Sequence, residues 1–349
     1  MKPVIRSARA AVGLIVVILA GCDNVSWGGA DIAVVPPPPR AVEVAEGTQE
    51  AGVEPLPTSP ILYYVARTAA GGIMTPVGQI TGDSLSPIRS AGDAATYAGR
   101  FVAEFMRQGA EFTLFSGGRR AGTFVVDNAG VPETPTCPLL PTATGTLELS
   151  GSIAAAEFLA LARADAPTVP PRADRLEVPA GVRARIAPIL AERAVRARRA
   201  QLPGSWASAI EQVTVFPTGA TGNAYTATLL VGDTLGPGLD NDGYSMFYIF
   251  APTTSQTGYD TVFVNYRSYP ETGKAAPRMI DYLDWSRDGT PELLLQVYGI
   301  NDSWFEAVGA DQGGKWRRIF RDRCEEGGRM LPAGVETTDS AAADTAAGS

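Results

Sequence analysis

Histidine is absent from the 349 residues of this chain. Its absence excludes Ser-His-Asp and Cys-His catalysis, histidine metal sites and the usual proton shuttle at neutral pH. The motifs of other common catalytic and phosphate-binding sites, such as G-x-S-x-G, S-x-x-K and G-x-x-x-x-G-K-S/T, do not occur in a setting that supports them. An enzyme with this sequence would depend on carboxylates, lysine, tyrosine or serine.

Long apolar segments are also lacking. The apolar run from Ala10 to Leu19 is well short of the roughly 20 residues that cross a bilayer as a helix. It follows a basic stretch and ends in small residues, which is typical of an export signal. We therefore expect residues 1–21 to be a signal peptide that is removed from the mature protein.

The expected signal peptide is followed directly by a cysteine, in the sequence Leu19-Ala20-Gly21-Cys22. This sequence resembles the bacterial lipobox. The resemblance implies cleavage before Cys22, attachment of a lipid such as palmitate to its sulfur, and a mature chain tethered to a membrane. The location implied is the bacterial cell envelope, periplasmic or surface-facing, at the inner or the outer membrane. The alternative is a free cysteine after an ordinary signal peptide.

Cysteine and basic residues are both scarce. If Cys22 carries a lipid, only Cys137 and Cys324 remain. Two leftover cysteines in an oxidising exported compartment pair more often than they stay free, so we expect a Cys137–Cys324 disulfide. The chain has 29 basic and 37 acidic residues, a net charge of −8, and nucleic acid is therefore not an expected partner.

Composition divides the chain into six segments. Proline clusters without an apolar period indicate a tether, and a small, polar C-terminal stretch is unable to bury a core. The predicted segments are the signal peptide at 1–21, a disordered proline-rich tether at 22–59, an α+β region at 60–150, a helical connector at 151–204, a β-rich region at 205–326 and a disordered tail at 327–349.

The periodicity of apolar residues predicts a β-rich α+β fold. Tyr97, Phe101 and Phe105 recur at helical spacing and indicate an amphipathic helix with its aromatic stripe in the core. Residues 154–163 are also predicted to be helical. Beyond residue 208, short strand-like runs alternate with turn sequences, which is typical of antiparallel sheets or a sandwich. We thus expect two or three helices in the N-terminal half and middle, and sandwich-like antiparallel sheets in the C-terminal half.

Arginine is concentrated in residues 180–201, where the pattern predicts a helix that is kinked near Pro188. The expected apolar face comprises Val182, Ile186, Ile189 and Leu190, and the arginines are Arg183, Arg185, Arg193, Arg196, Arg198 and Arg199, with Glu192 as the single acid. One interpretation is a solvated helix face whose arginines pair with carboxylates of the protein itself. The other is contact with anionic lipid headgroups or an acidic partner.

A loop near the C-terminal end has the spacing of a calcium site. Positions 1, 3, 5, 7 and 9 of this loop offer oxygen from Asp284, Ser286, Asp288, the backbone carbonyl of Thr290, and Glu292. Gly289 stands at place 6, where a sharp turn is needed, and calcium prefers oxygen ligands in such an arrangement. Place 12 is Leu295 instead of a bidentate glutamate, so the loop is not an EF-hand.

The same loop resembles the calcium-binding turns of FG-GAP and VCBS-type repeats, in which an acidic loop leads into a strand. The matching residues are Asp284, Asp288, Gly289, Pro291, Glu292 and Leu293. The resemblance implies that the acidic positions ligate calcium. Ser286 and Arg287 depart from the family pattern, and no regular repeat indicates a complete propeller. The alternative is an ordinary turn, in which Asp284 accepts hydrogen bonds from loop amides and nothing is bound.

Two classes of function are compatible with these features. The first is a membrane-tethered envelope lipoprotein with a non-catalytic binding or structural role, stabilised by calcium and presented to an unidentified protein or envelope partner. The alternative is an exported hydrolase that uses carboxylates, for which the candidates are Asp240, Asp242, Asp260, Asp281 and Glu306. A deep pocket with two converging acids would favour the enzyme, and an exposed aromatic patch would favour the binding protein. The tryptophans considered for such a patch, or for the core, are Trp206, Trp285, Trp304 and Trp316.

Overall fold

The computed structural model describes a folded body that begins in the last few residues of the expected tether and continues through the regions after it. The described residues are 55–58, 60–88, 94–131, 140–151, 153–169, 176–218, 222–238, 242–253, 255, 258–311 and 313–322. All of them belong to one compact unit of the chain, which begins at Val53. The signal peptide, the three cysteines and the tail lie outside these ranges, so lipidation of Cys22 and the Cys137–Cys324 disulfide stay predictions. Within the described ranges, no helix is both long and apolar enough to span a membrane.

Seven antiparallel strands form the first sheet. Its strands are β1 (Ile61–Thr68), β2 (Gly71–Thr81), β3 (Ser84–Ser86), β4 (Glu111–Ser116), β5 (Arg119–Gly130), β6 (Thr142–Leu149) and β7 (Glu157–Ala162). The spatial order is β1-β7-β4-β5-β6-β2-β3, and β1 also pairs with β2. Because β1 has a partner on both sides, six of the strands close into a ring, and β3 extends from β2.

Helix α1 (Ala94–Phe105) supplies aromatic side chains to the core of this first sheet. Tyr97 and Phe101 are buried, and Phe105 is partly buried with its ring centroid 5.0 Å from that of Phe101. They pack in one cluster with Phe112 and Phe124 of β4 and β5. The aromatic stripe therefore lies in the core, as its spacing predicted.

The prediction of a helix at residues 154–163 is wrong, because Glu157–Ala162 form strand β7. Its apolar sequence, rich in alanine and leucine, has high helix propensity. In the fold, Phe158, Leu159, Ala160 and Leu161 are all buried, since β7 lies between β1 and β4 and both of its faces are covered. A short apolar run without alternation fits a buried strand as well as a buried helix. Burial and pairing outweigh the intrinsic preference here.

Two four-stranded antiparallel sheets follow, in agreement with the predicted β-rich α+β class. The second sheet contains β8 (Ile210–Pro217), β9 (Asn223–Val231), β10 (Tyr244–Pro252) and β11 (Tyr259–Ser268), and the third contains β12 (Ala276–Leu283), β13 (Glu292–Tyr298), β14 (Ser303–Ala310) and β15 (Trp316–Arg321). Consecutive strands pair in each of them. Helices α3 (Trp206–Ala209) and α4 (Tyr269–Thr272) are single turns that precede β8 and β12.

The third sheet is covered on both faces. Leu294 of β13 joins a cluster with Leu62 and Leu159 of the first sheet, whereas Leu293 and Leu295 join a cluster with residues of the second sheet. Successive side chains of a strand point to opposite faces. The uninterrupted leucine run of β13 therefore reflects a strand that is buried from both sides.

Helix α2 (Ala187–Ala197) covers the outer face of the second sheet. A single π-helical turn, Val182–Ile186, precedes it, and Pro188 lies in its first turn, where no intrahelical amide donor is needed. The π turn inserts an extra residue and shifts the helical register. Ile189, which was expected on the apolar face, is consequently 55% exposed, whereas Leu190 is buried.

Buried ionic contacts join the layers of the fold. Arg267 of β11 is within 2.6 and 2.7 Å of the two carboxylate oxygens of Glu306 on β14, and both side chains are almost completely buried. Arg278 of β12 donates to both oxygens of Glu157 on β7, at 2.6 and 2.7 Å. These pairs connect the third sheet to the second and to the first, respectively.

A pH-dependent loss of stability is expected from Asp322, which follows β15. Its carboxylate accepts a hydrogen bond from the backbone amide of Phe305, but burial and the nearby charge of Glu306 raise its pKa to about 8. The folded state therefore retains a proton that the unfolded chain loses near pH 4. Between about pH 4 and 8 this group should lower the free energy of unfolding by up to about 1.4 kcal/mol for each unit of rising pH.

Urea titrations across this pH range, in chelator, would measure that dependence. Asp322→Asn, which keeps an oxygen acceptor for Phe305, should make the decline with pH shallower. Asp260→Asn changes an exposed acid of β11 and should leave the pH profile as it is. A profile that is identical in wild type and Asp322→Asn would contradict the assignment.

Candidate metal centre

The candidate site is the loop that connects β12 and β13 at one end of the third sheet. Leu283 and Glu292 are paired across this hairpin, so the two ends of the loop lie side by side. Asp284 directly follows the pair on one strand, and Asp288 lies at the exposed part of the loop. The register of one hairpin thus places all three acids of the predicted motif at the same end of the sheet.

The carboxylates of Asp284, Asp288 and Glu292 converge. One oxygen from each lies within 4.8 Å of the others. The burial of the three groups is graded, since Asp288 is exposed, Asp284 is half-buried and Glu292 is 3% exposed. One side of the cluster therefore faces solvent and the other faces the protein interior.

Backbone hydrogen bonds hold the loop in this conformation. The two oxygens of Asp284 accept from the amides of Asp288 and Gly289 at 3.1 and 3.0 Å, and Asp288 accepts from the amide of Thr290 at 2.8 Å. Gly289 has φ of +92°, a conformation that glycine adopts without a steric penalty. These are the bonds of an Asx-type turn, which the ordinary-turn interpretation predicts for Asp284; the convergence of the three carboxylates is what the calcium interpretation adds.

Arg287 also adopts a left-handed conformation, with φ of +64°. Its guanidinium Nη2 donates to the carbonyl of Asp165, which follows β7, at 2.8 Å. The positive charge that departs from the family pattern is thus bound to a backbone carbonyl of another segment. This contact also fastens the loop to the first sheet.

The surroundings of Glu292 disfavour an isolated negative charge. Burial raises the pKa of its carboxyl to about 8, and the charge of Asp284 acts in the same direction. Hydrogen bonds from Ser286 and from the Trp285 amide, at 2.9 Å to Glu292 Oε2, oppose this rise without cancelling it. A divalent cation between the carboxylates would favour the ionised form of Glu292 and lower its pKa.

Gly309 on β14 makes room for the glutamate, and sequence analysis did not identify this residue. A Cβ at position 309 would lie 3.3 Å from Glu292 Cγ and 2.9 Å from Ile319 Cδ1. A glycine inside a strand is a sign of close approach by another group. That sign was present in the sequence, but the group that approaches is set by the pairing of β13 with β14.

The predicted ligands have different positions in the structure. Asp284, Asp288 and Glu292 come together, and the Ser286 hydroxyl is 3.5 Å from Asp284 Oδ1. Thr290 is held in the loop by its amide bond to Asp288. The donor set is composed of oxygen alone, which suits calcium and magnesium better than transition metals.

Two of the acids considered for hydrolysis, Asp281 and Glu306, have separate structural roles, whereas Asp242 and Asp260 are exposed. Both oxygens of Asp281 accept from the amide of Gly117 in the β4–β5 turn, at 3.0 and 2.8 Å, and Glu306 pairs with Arg267. Asp240 lies outside the described residues. A cleft of about 520 Å³ beside α1 is lined by other acids, among them Glu111, which pairs with Arg163.

The four tryptophans considered for an exposed patch all lie within the described residues, and they do not form one. Trp285, Trp304 and Trp316 are between 4% and 8% exposed, and Trp206 is partly buried beside α2. They belong to the core, which was one of the two roles considered for them.

No family model, curated protein or solved structure matches this chain.

Proposed function

We propose that this protein is a lipid-anchored component of a bacterial cell envelope with a non-catalytic binding or structural role, and that the loop from Asp284 to Glu292 binds calcium. The observation that carries the calcium proposal is the convergence of three carboxylates, one of them buried. The lipobox-like sequence before Cys22 supports the anchor, and the proline-rich segment after it supports a spacer between membrane and folded body.

The balance of charge in the loop supports a cation. The Asp284 and Asp288 carboxylates lie within 4.8 Å of the buried Glu292 carboxyl, whose pKa is raised to about 8, and the only cationic side chain in the loop, that of Arg287, donates to a carbonyl of another segment. An ordinary turn needs the bonds of Asp284 to the loop amides, but it does not need Glu292 to be buried beside it. A calcium ion would compensate that burial, as oxygen-rich sites of exported modules do at about 0.1 to 1 mM calcium.

Calcium should raise the melting temperature of the protein. With calcium about tenfold above its dissociation constant, the folded state gains about 1.4 kcal/mol, because a ligand stabilises only the state that binds it. The measurement is thermal unfolding of the Cys22→Ser chain, which cannot be lipidated, in millimolar calcium and in chelator. Asp288→Asn, which keeps an oxygen for the Thr290 amide but loses the charge, should remove most of the calcium-dependent shift.

A second turn of the same sheet provides the matched control. Asp311, between β14 and β15, accepts from the amides of Gly313 and Lys315, both at 2.9 Å, in a similar turn. Asp311→Asn should therefore keep the full response to calcium. Identical wild-type curves in calcium and in chelator, or an equal loss of response in Asp288→Asn and Asp311→Asn, would overturn the proposed site.

A further inference from the structure

The exposed side of α2 and of the π turn before it carries a dense group of arginines. We name this group the arginine face; its members are Arg183, Arg185, Arg193, Arg196 and Arg199, all of them exposed. The face belongs to a protein with a net charge of −8. It is thus a local basic surface on an acidic protein, of the kind that favours contact with anions.

The orientation of α2 is fixed by its packing. At about 100° per residue, Ile189, Arg193 and Arg196 fall within about 60° of one another. The opposite side is buried against the second sheet through Ala187, Leu190, Ala191, Ala194 and Val195. Tyr248 of β10 donates to the Ala187 carbonyl at 2.9 Å and holds the start of the helix in place. Arg193 and Arg196 are therefore presented outward by a rigid element, beside the exposed Ile189.

Among the described residues, acids neutralise little of this charge. Arg196 pairs with Glu192 at 2.7 Å. For Arg183, Arg185, Arg193 and Arg199, the structure contains no ion pair within the residues it describes. Arg198 has a different role, since it donates to the Ala194 carbonyl and its guanidinium lies 5.7 Å from the centre of the Tyr266 ring. Within the part of the chain that the structure describes, the interpretation in which the arginines pair internally therefore accounts for Arg196 alone.

The end of α2 adds a separate observation. Arg199 has φ of +55° and occupies the left-handed position after the helix, where the Ala200 amide bonds back to the Val195 carbonyl at 3.2 Å. Glycine is the usual residue at this position, because a side chain there costs about 1 kcal/mol. The Arg199 side chain makes no ion pair with the described residues that would offset this cost. Its charge is directed to the surface.

We propose that the arginine face docks on the anionic phospholipid headgroups of the membrane that carries the lipid anchor. This inference rests on the membrane location in the proposed function. Guanidinium groups bind phosphate through two parallel hydrogen bonds, and an exposed isoleucine among arginines suits the boundary between headgroups and acyl chains. The acidic remainder of the surface is repelled by the same headgroups, so docking orients the body on the membrane.

Binding to vesicles tests this docking without the lipid anchor. The Cys22→Ser chain, in chelator, is sedimented with vesicles of phosphatidylcholine and with vesicles of equal parts phosphatidylcholine and phosphatidylglycerol. Each arginine close to an anionic surface contributes about fivefold to the partition coefficient. R193E/R196E should therefore reduce partitioning to the anionic vesicles by about thirtyfold or more. R107E/R120E makes the same change of charge at two exposed arginines near and within the first sheet and should bind like wild type.

The comparison between variants tests the docking surface independently of the lipid anchor and of calcium binding, on which the proposed function depends. Any contribution of the apolar N-terminal run is common to all the proteins, and neither the lipid anchor on residue 22 nor calcium is present. Equal partitioning of R193E/R196E and wild type would overturn the docking surface. Partitioning that is the same on neutral and anionic vesicles would also overturn it. Binding to polyglutamate but not to anionic vesicles would overturn it as well, and would identify an acidic polypeptide as the kind of partner.

Discussion

Replacing Arg267 by methionine is expected to lower the free energy of unfolding by about 3 to 5 kcal/mol. The change leaves Glu306, which is 0% exposed, without its nearest cation in the space between the second and third sheets. Burial alone would raise the pKa of Glu306, but the charges of Arg267, Arg318 and Arg321 hold it below the ordinary value of a glutamate. Chemical denaturation at neutral pH would measure the loss.

The double variant R267M/E306L distinguishes two costs: the loss of the ion pair itself, and the burial of an unpaired Glu306 charge. Two apolar side chains at a buried ion pair are often tolerated, so the double variant should recover most of the stability lost in Arg267→Met. A remaining deficit of about 1 kcal/mol is expected, because the Trp304 indole donates to Glu306 at 3.0 Å and loses its acceptor. A single variant as stable as wild type, or a double variant no better than the single, would contradict this account.

Leu294→Ala should have an effect of similar size, about 3 to 5 kcal/mol. Leu294 is fully buried on β13 and packs between the third and first sheets. Truncation there removes apolar contacts and leaves a cavity that neighbouring strands, paired on both sides, are poorly able to fill.

Leu202 provides the same substitution at an exposed position. It is 38% exposed, between α2 and α3. Leu202→Ala should change the free energy of unfolding by no more than about 0.5 kcal/mol. Denaturation curves of the two alanine variants, measured side by side, would test the position of Leu294, and a similar small effect in both would contradict burial of β13 from both faces.

Sequence reasoning succeeded where the pattern is local. The aromatic stripe of α1 and the turn-separated strands of the second and third sheets each lie within a few residues of the signals that predict them. It failed at β7, because a short apolar run without alternation fits a buried helix as well as a buried strand, and only the pairing with β1 and β4 decides between them. It also failed at Ile189, because nothing local marks the π turn that rotates the helix.

The candidate site shows the same division. The motif from Asp284 to Glu292 is contained in nine consecutive residues, and the structure brings its three acids together. The space that Glu292 occupies depends on Gly309, which is contributed by the neighbouring strand β14. The pairing of Arg267 with Glu306 could not be predicted from the sequence either, since it joins residues of two different sheets. Linear spacing indicates candidate ligands, whereas the charge state of those residues depends on neighbours that are distant in the sequence.

The closed ring of the first sheet has a consequence for the order of folding. Tyr63 pairs with Ala160 where β1 meets β7. This edge of β1, the first strand of the ring, can therefore form its hydrogen bonds only after β7, the last strand of the ring in the sequence, has been synthesised. Such distant pairings are slow to form, whereas the hairpins of the third sheet assemble from adjacent segments. A chain that emerges from an export channel with its N terminus first would expose an unpaired edge of β1 until about a hundred further residues have followed. The ring thus protects its edges only once it is complete, and the interval before closure is when this protein is most exposed to misassembly.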